Sequence, residues 1–260
     1  MKYNRLGHTG IKVSMLGLGT VKIGRNQKVK YPGGDGFRIP DDKEVEKLLD
    51  TAISLDINLI DTAPAYGTSE ERLGKLLGSN REKFVIITKA GEEFENGVSD
   101  YNFTSGHIRT SVERSLKRLK TDRIESVLLH CHRNDSDIIE NTPALETLHD
   151  LKEKGDILSY GVSGYTVDAG FKSVEMSDVV MVTYNIQETQ MLPVIDYAHK
   201  SGKGVLIKKG LLSGNIPAHN NKDPIGMCMR SIFSVPGITS LITGSLNPEH
   251  LKENARHSIS

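Results

Sequence analysis

The sequence predicts a single α/β domain, a (β/α)8 TIM barrel preceded by an N-terminal β-hairpin. Eight short apolar segments alternate with helical patterns along 260 residues, and one such barrel uses ~250. The segments are near-continuous runs of leucine and β-branched residues, as in parallel strands covered on both faces. Several run into a polar residue at the carboxyl end, where a barrel of this type builds its chemistry. Parallel crossovers are right-handed and close readily, so alternation over residues 1–260 argues for closure.

Lys2–Arg5 and Ile11–Val13 flank Gly7-His8-Thr9-Gly10 and read as the hairpin. The strand segments are Met15–Leu18, Asn58–Ile60, Phe84–Thr88, Ile124–Leu129, Ile157–Gly161, Asp178–Val182, Gly204–Ile207 and Ser240–Thr243. Asp42–Leu55 carries Val45, Leu48, Leu49, Ala52 and Ile53 at helical spacing. Ser105–Lys120 carries Ile108, Val112, Leu116 and Leu119, with Ser105 as its N-cap. Glu70–Leu77, Thr142–Lys154, Val167–Val174, Met191–Lys200 and Pro248–Asn254 complete the helices. Gly155 and Gly202 stop two of them by supplying a left-handed turn. Gly24–Pro40, rich in glycine and lysine, is long enough to form a mobile flap. An open doubly wound sheet is the competing architecture, but Lys22 stands where the third glycine of its phosphate fingerprint belongs. No repeat, low-complexity tract or interdomain linker interrupts the chain.

Lysine plus arginine equals aspartate plus glutamate at 33 each. No net field therefore favours nucleic acid or an anionic membrane. Only Cys131 and Cys228 occur, without a disulfide framework, which suits a reducing compartment. The N-terminus lacks an apolar targeting core, and no run approaches a membrane span. A cytoplasmic protein is expected. The sequence carries no signal of oligomeric state.

Asp61, Tyr66, Lys89 and His130 fall where strand-like runs give way to loops, in Asn58–Gly67 (NLIDTAPAYG), Phe84–Ala90 (FVIITKA) and Val127–His132 (VLLHCH). A tyrosine has an ordinary pKa near ~10 and is a weak acid alone. A lysine ammonium nearby stabilises its phenolate, and an aspartate can hold that lysine charged and oriented. A histidine beside them can orient a carbonyl or share its proton. Such a set protonates an oxygen on which negative charge develops, as in carbonyl reduction by hydride. Singly, each residue has a plainer role: the aspartate as a helix cap, the tyrosine as rim packing, the lysine as a Schiff-base nucleophile. His130 and His132 alternate like a metal pair. His107 and Asp135 lack the spacing to complete a ligand set, so no metal is expected.

Together with further segments, these residues resemble the aldo-keto reductase family over nearly the whole chain. Arg5–Thr20 resembles its N-terminal hairpin and first strand. Gly161–Gly164, Thr183–Asn185, Lys209–Gly214 and Thr243–Asn254 follow in family order. The resemblance implies NADP(H), with NAD(H) as the alternative, bound extended across the barrel mouth. It implies Tyr66 as general acid, Lys89 and Asp61 as its tuners, and His130 as the residue that orients the substrate. It also places Thr20, Ser163, Lys208, Gly210, Leu211, Ser245, Asn247, His250 and Asn254 against the cofactor. Lys208 and Lys209 would add positive charge there, or form a solvated loop pair.

The chain departs from the family pattern at several points. Gly164 replaces an asparagine, Met181 replaces a glutamine, and Lys203–Ile207 lacks the aromatic that stacks on the nicotinamide. His250 stands where an arginine commonly pairs with the adenosine 2′-phosphate. No tryptophan occurs, and the chain is expected to lack the long C-terminal loop that commonly closes the pocket. The expected activity is reversible reduction of an aldehyde or ketone to an alcohol, in an open cleft. The alternative is a catalytically weak nicotinamide-binding sensor or regulatory subunit.

Overall fold

The computed structural model describes residues 1–29, 34–216 and 223–258. Its centre is a closed barrel of eight parallel strands in chain order. These are β1 (Leu16–Gly19), β2 (Leu59–Asp61), β3 (Val85–Ala90), β4 (Ser126–His130), β5 (Tyr160–Ser163), β6 (Val179–Thr183), β7 (Gly204–Lys208) and β8 (Ser240–Thr243). Strand β8 closes on β1 through Leu241 opposite Leu16 and Thr243 opposite Leu18. The predicted hairpin pairs Tyr3–Arg5 with Lys12–Ser14.

Side chains alternate in and out along each strand, which sorts the apolar residues into two sets. Leu59, Ile87, Leu128, Val179, Met181 and Leu206 fill the barrel, with Leu6 and Val13 of the hairpin in the same cluster. Ile60, Ile86, Val127, Leu129, Val180, Val182 and Ile207 belong to the larger cluster shared with the surrounding helices. The inward set fixes the site. Asp61, Lys89, His130, Met181 and Lys208 lie two residues beyond Leu59, Ile87, Leu128, Val179 and Leu206, so each projects into the barrel one layer higher.

This register corrects the predicted strand ends. Strands β2 to β7 each reach one or two residues further than the apolar runs suggested, so Asp61, Lys89 and His130 belong to strands and not to loops. Ladder pairing carries past the apolar residues, as Gly19 opposite Asp61 and His130 opposite Ser163 demonstrate. Apolar composition marks only where strands are covered.

The helices follow their periodicity. Asp42–Ser54 starts with a capping box between Asp41 and Glu44 and buries Val45, Leu48, Leu49 and Ala52. Thr104, not Ser105, caps Ser105–Leu119, its hydroxyl accepting from the His107 N–H. The turn Val21–Gly24, the helices Asp135–Asn141 and Pro224–Phe233, and a hairpin of Glu92–Glu95 with Val98–Tyr101 were not anticipated, nor were the short 3-10 turns Pro64–Tyr66, Gly78–Lys83 and Leu212–Gly214. Of the expected flap, residues 30–33 lie outside the described residues. Among the described residues no helix is long and apolar enough to cross a membrane, and both cysteines are buried and free.

One close backbone contact sets the geometry of the loop after β2. Gly67 has φ +61° and ψ −121°, a conformation that L side chains resist. A Cβ on Gly67 would lie 2.2 Å from the carbonyl oxygen of Gly24. The turn Val21–Gly24 is thereby pressed onto the residue after Tyr66. Gly67→Ala is expected to cost at least ~1–3 kcal/mol, lowering the thermal midpoint on the order of 2–10 °C. An unshifted midpoint in scanning calorimetry would show that the loop relaxes freely.

Candidate active site

The four residues expected to act together meet at the carboxyl-terminal mouth of the barrel. Lys89 is 1% exposed and Asp61 5%. The Lys89 Nζ contacts Asp61 Oδ1 at 2.5 Å and donates to the Thr62 carbonyl at 2.9 Å. It also lies 5.0 Å from the centre of the Tyr66 ring. Tyr66 ends a short 3-10 turn, Pro64–Tyr66, and meets the His130 ring edge-on at 6.0 Å. A chain of hydroxyls holds this loop to β1: Thr62 bonds Ser69, Ser69 donates to Thr20, and Thr20 donates to the Asp61 carbonyl at 2.8 Å.

The cleft has a volume of about 440 Å³ and contains three tyrosines with different surroundings. Burial, with Glu92 and Tyr165 nearby, pushes Tyr101 up to about 12. Burial and the same Glu92 push Tyr165 upward as well. Both are poor proton donors. Tyr66 is the one of the three placed beside Lys89.

Glu92, the first residue of the unanticipated hairpin, lies 2.7 Å from Nδ1 of His130, short of regular hydrogen-bond geometry. Ser99, on the partner strand, donates to the other Glu92 oxygen at 2.6 Å. Burial alone would raise the Glu92 carboxyl, but the His130 contact, Ser99 and Arg25 outweigh it and hold it at about 2. For His130 the balance is reversed. Burial lowers it, and Lys89 and Lys208 add to that, against the pull of Glu92. Glu92 is therefore held as the anion, while burial disfavours the imidazolium of His130.

Of the residues expected against a cofactor, Thr20, Ser163 and Lys208 line the cleft, as does Lys209. Lys208 is not part of a solvated loop pair. It ends β7, donates to Ser163 Oγ at 2.9 Å and lies 4.2 Å from the Tyr165 ring centre. Burial, with Lys209 and Lys89 nearby, pulls its ammonium down to about 7. Lys209, Leu212 and Ser213 all have positive φ, so the backbone after β7 turns sharply beside the cleft. Gly210 serves packing, since a Cβ there would strike Leu241 at 2.5 Å and Ile232 at 2.7 Å. Leu211 packs against the outer core. Ser245 accepts from the Asn247 N–H, and Asn247 caps Pro248–His257 by accepting from the Glu249 N–H. His250 is exposed on that helix and Asn254 is buried.

Sequence reasoning missed Glu92, Arg25, Tyr101, Tyr165 and Asp135. A signal existed for the hairpin that carries Glu92 and Tyr101: its turn is Asn96-Gly97, both with positive φ, the strongest short hairpin signature. Asp135 explains Gly164. It accepts from the N–H groups of Tyr165 and Thr166 and from the Thr166 hydroxyl. A Cβ at 164 would lie 3.0 Å from its Oδ2. Among the described residues no cluster of three or more His, Cys, Asp or Glu is placed to hold a metal. His132 faces Tyr101 and Phe103.

A closed parallel barrel with a buried lysine–aspartate pair beside a tyrosine and a histidine defines a carbonyl-reducing class of oxidoreductase. Residues 15–224 match the model of the aldo/keto reductase family, and the chain belongs to that family. A crystal structure from Pseudomonas aeruginosa, described as an aldo-keto reductase, is 48% identical, covers 98% of this chain and 93% of that one, and superposes with a TM-score of 0.90. Aldo-keto reductase YhdN of Bacillus subtilis is 32% identical over 83% of this chain and 65% of its own length. An NADH-specific methylglyoxal reductase of Escherichia coli is 30% identical over 83% of this chain and 70% of its own length. The family uses nicotinamide cofactors.

Glu92→Gln is expected to move the His130 titration, followed by ring-nitrogen NMR, to still lower pH, because an adjacent anion favours the imidazolium. Stability has a matching signature. The folded Glu92 titrates below its ordinary 4.5, so its contribution is present above that value and lost as pH falls toward about 2. The variant's thermal midpoint should depend less on pH in that window. An unmoved His130 titration would mean the two groups are uncoupled.

Proposed function

We propose that this protein reduces aldehydes or ketones to alcohols with NAD(P)H, reversibly, in the cytoplasm, with Tyr66 as the proton donor. The observation that carries the reading is the position of the Lys89 ammonium, fixed by Asp61 and 5.0 Å from the centre of the Tyr66 ring. When bound, the nicotinamide supplies the hydride. Its fit rests on the cleft: Ser163 and Lys208 offer polar contacts at one end, and Lys209 and Ser213 present cationic and backbone groups beside a sharp turn suited to phosphate.

The protein's own groups do the proton chemistry. Tyr66 gives its proton to the substrate oxygen as negative charge develops there, and the Lys89 ammonium stabilises the phenolate left behind. Asp61 holds Lys89 in place and stops it from turning away. His130, held through Nδ1 by Glu92, accepts at Nε2 in its neutral form and donates there once protonated. Reduction should therefore accelerate as pH falls into the His130 titration range, which lies below the ordinary 6.5.

NADP(H) is the proposed cofactor and NAD(H) the alternative, with Ser245, Asn247, His250 and Asn254 toward the adenosine end. A histidine grips a phosphate less firmly than arginine's planar fork, so the discrimination should be modest.

Tyr66→Phe removes a proton donor and little volume. It is expected to lower kcat by ~10²-fold or more, while the Kd for NADPH, read by fluorescence quenching, stays nearly constant. Full turnover in Tyr66→Phe would refute the assigned acid. Titrating the intact protein with NADPH and NADH tests the cofactor site directly, and failure to bind either would refute the reductase reading.

A further inference from the structure

We infer that Arg25 binds a carboxylate on the substrate, so that the preferred substrates are aldehydes or ketones with a carboxylate on the chain leading away from the carbonyl. The inference deepens the reductase reading and rests on it.

Charge in the cleft is unbalanced. Six lysines and arginines line it against two carboxylates, Asp61 and Glu92, although the whole chain is neutral. Both carboxylates are engaged, Asp61 by Lys89 and Glu92 by His130 and Ser99. Lys208 and Lys209 come from the β7 side, where the cofactor is proposed to lie. Arg25 comes from the loop after β1, and its guanidinium reaches the segments after β2 and β3, at Ala65 and Phe94.

Arg25 is built as a fixed cation. Its guanidinium lies flat on Phe94, 3.3 Å from the ring centre. Nε donates to the Gln27 carbonyl at 2.8 Å, Nη1 to the Ala65 carbonyl at 3.1 Å and Nη2 to the Lys28 carbonyl at 3.3 Å. A guanidinium has five N–H donors, so one on each terminal nitrogen has no partner among these bonds. Among the described residues no carboxylate forms an ion pair with Arg25. Glu92 and Asp35 lie near enough to favour its charge but outside ion-pair distance. Ala65 adjoins Tyr66, so the guanidinium is held close to the proposed acid. Two remaining donors on a planar fork match the two oxygens of a carboxylate. A neutral substrate would leave both unused.

The test compares para-formylbenzoate with its methyl ester, which keeps the ring and the aldehyde and loses only the charge. The wild-type protein should favour the acid by roughly tenfold or more in kcat/KM, as charge-assisted hydrogen bonds do. Arg25→Gln should collapse that preference by raising KM for the acid, with a much smaller effect on the ester. Arg25→Lys, which keeps the charge and loses the fork, should restore part of it. Equal kcat/KM for acid and ester in the wild type would overturn the inference and leave the reductase reading standing. An equal fall in kcat for both substrates in Arg25→Gln would also overturn it, assigning Arg25 to support of the Tyr66 turn. Binding gives an independent arm: calorimetry of the protein with NADP and para-(hydroxymethyl)benzoate, against the ester. Preferential binding of the acid without turnover would support Arg25 as the carboxylate site while refuting the reductase chemistry.

Discussion

The pair of Lys89 and Asp61 inside the barrel mouth is the constraint around which the rest is arranged. Taking two charges out of water costs several kcal/mol for each ion, and their attraction offsets this only with close geometry and further hydrogen bonds. Here the contact is 2.5 Å, and Thr62 accepts a second hydrogen bond from the ammonium. A pair of leucines at the same positions would pack at least as well. The barrel below supplies the rigidity that makes such a pair tolerable. Leu59 and Ile87 are fully buried directly beneath it and fix the direction in which both charged side chains emerge. Loss of either partner would strand a buried charge, at a cost of ~3–5 kcal/mol, so the two residues are coupled in folding as well as in chemistry.

The same constraint extends to the loops. Tyr66 is useful only if its ring stays beside Lys89, and the loop carrying it is fastened twice. The Thr62–Ser69–Thr20 hydroxyl chain ties it to β1, and the Gly24–Gly67 contact seats it against the following turn. His130 is steadied from the other direction, by a hairpin that grows directly out of β3 after Lys89. One strand thus delivers the lysine within the barrel and, a few residues later, the carboxylate that orients the histidine.

Much of this was legible in the sequence, for a definite reason. Barrel strands are buried on both faces, so their apolar runs stand out, and a charged residue such as Lys89 at the end of a run cannot be accounted for by packing. What could not be read was anything that depends on two loops meeting. Glu92 sits in a run of acidic residues that resembles a solvated surface, and only the pairing across Asn96-Gly97 turns it inward. Gly164 looked like a lost asparagine. It is the space required by Asp135, a residue 29 positions earlier, whose carboxylate takes over the local N–H groups. The strand ends were misjudged for the same reason, because polar residues such as Ser163 and Lys208 join the ladder when their neighbours do.

The missing stacking aromatic shows how such a substitution propagates. With Lys208 at the end of β7, the aromatic surface on that side of the cleft comes from Tyr165 in the loop after β5, whose ring faces Lys208 and Lys209 at 4.2 and 5.4 Å. That ring offsets part of the desolvation of two neighbouring cations, a contribution that grows as water is excluded. It does not suffice to keep Lys208 at an ordinary lysine value. The cleft therefore has a cation on the β7 side that is close to losing its proton at neutral pH, and an arginine on the β1 side that cannot lose its own. An anion entering from the β7 side would be met by a charge it can itself help to retain, since a nearby anion favours the protonated amine. An anion entering toward Tyr66 would be met by a permanent one. The two ends of the cleft are thus electrostatically unequal, and the asymmetry follows from which strand end carries lysine and which loop carries arginine.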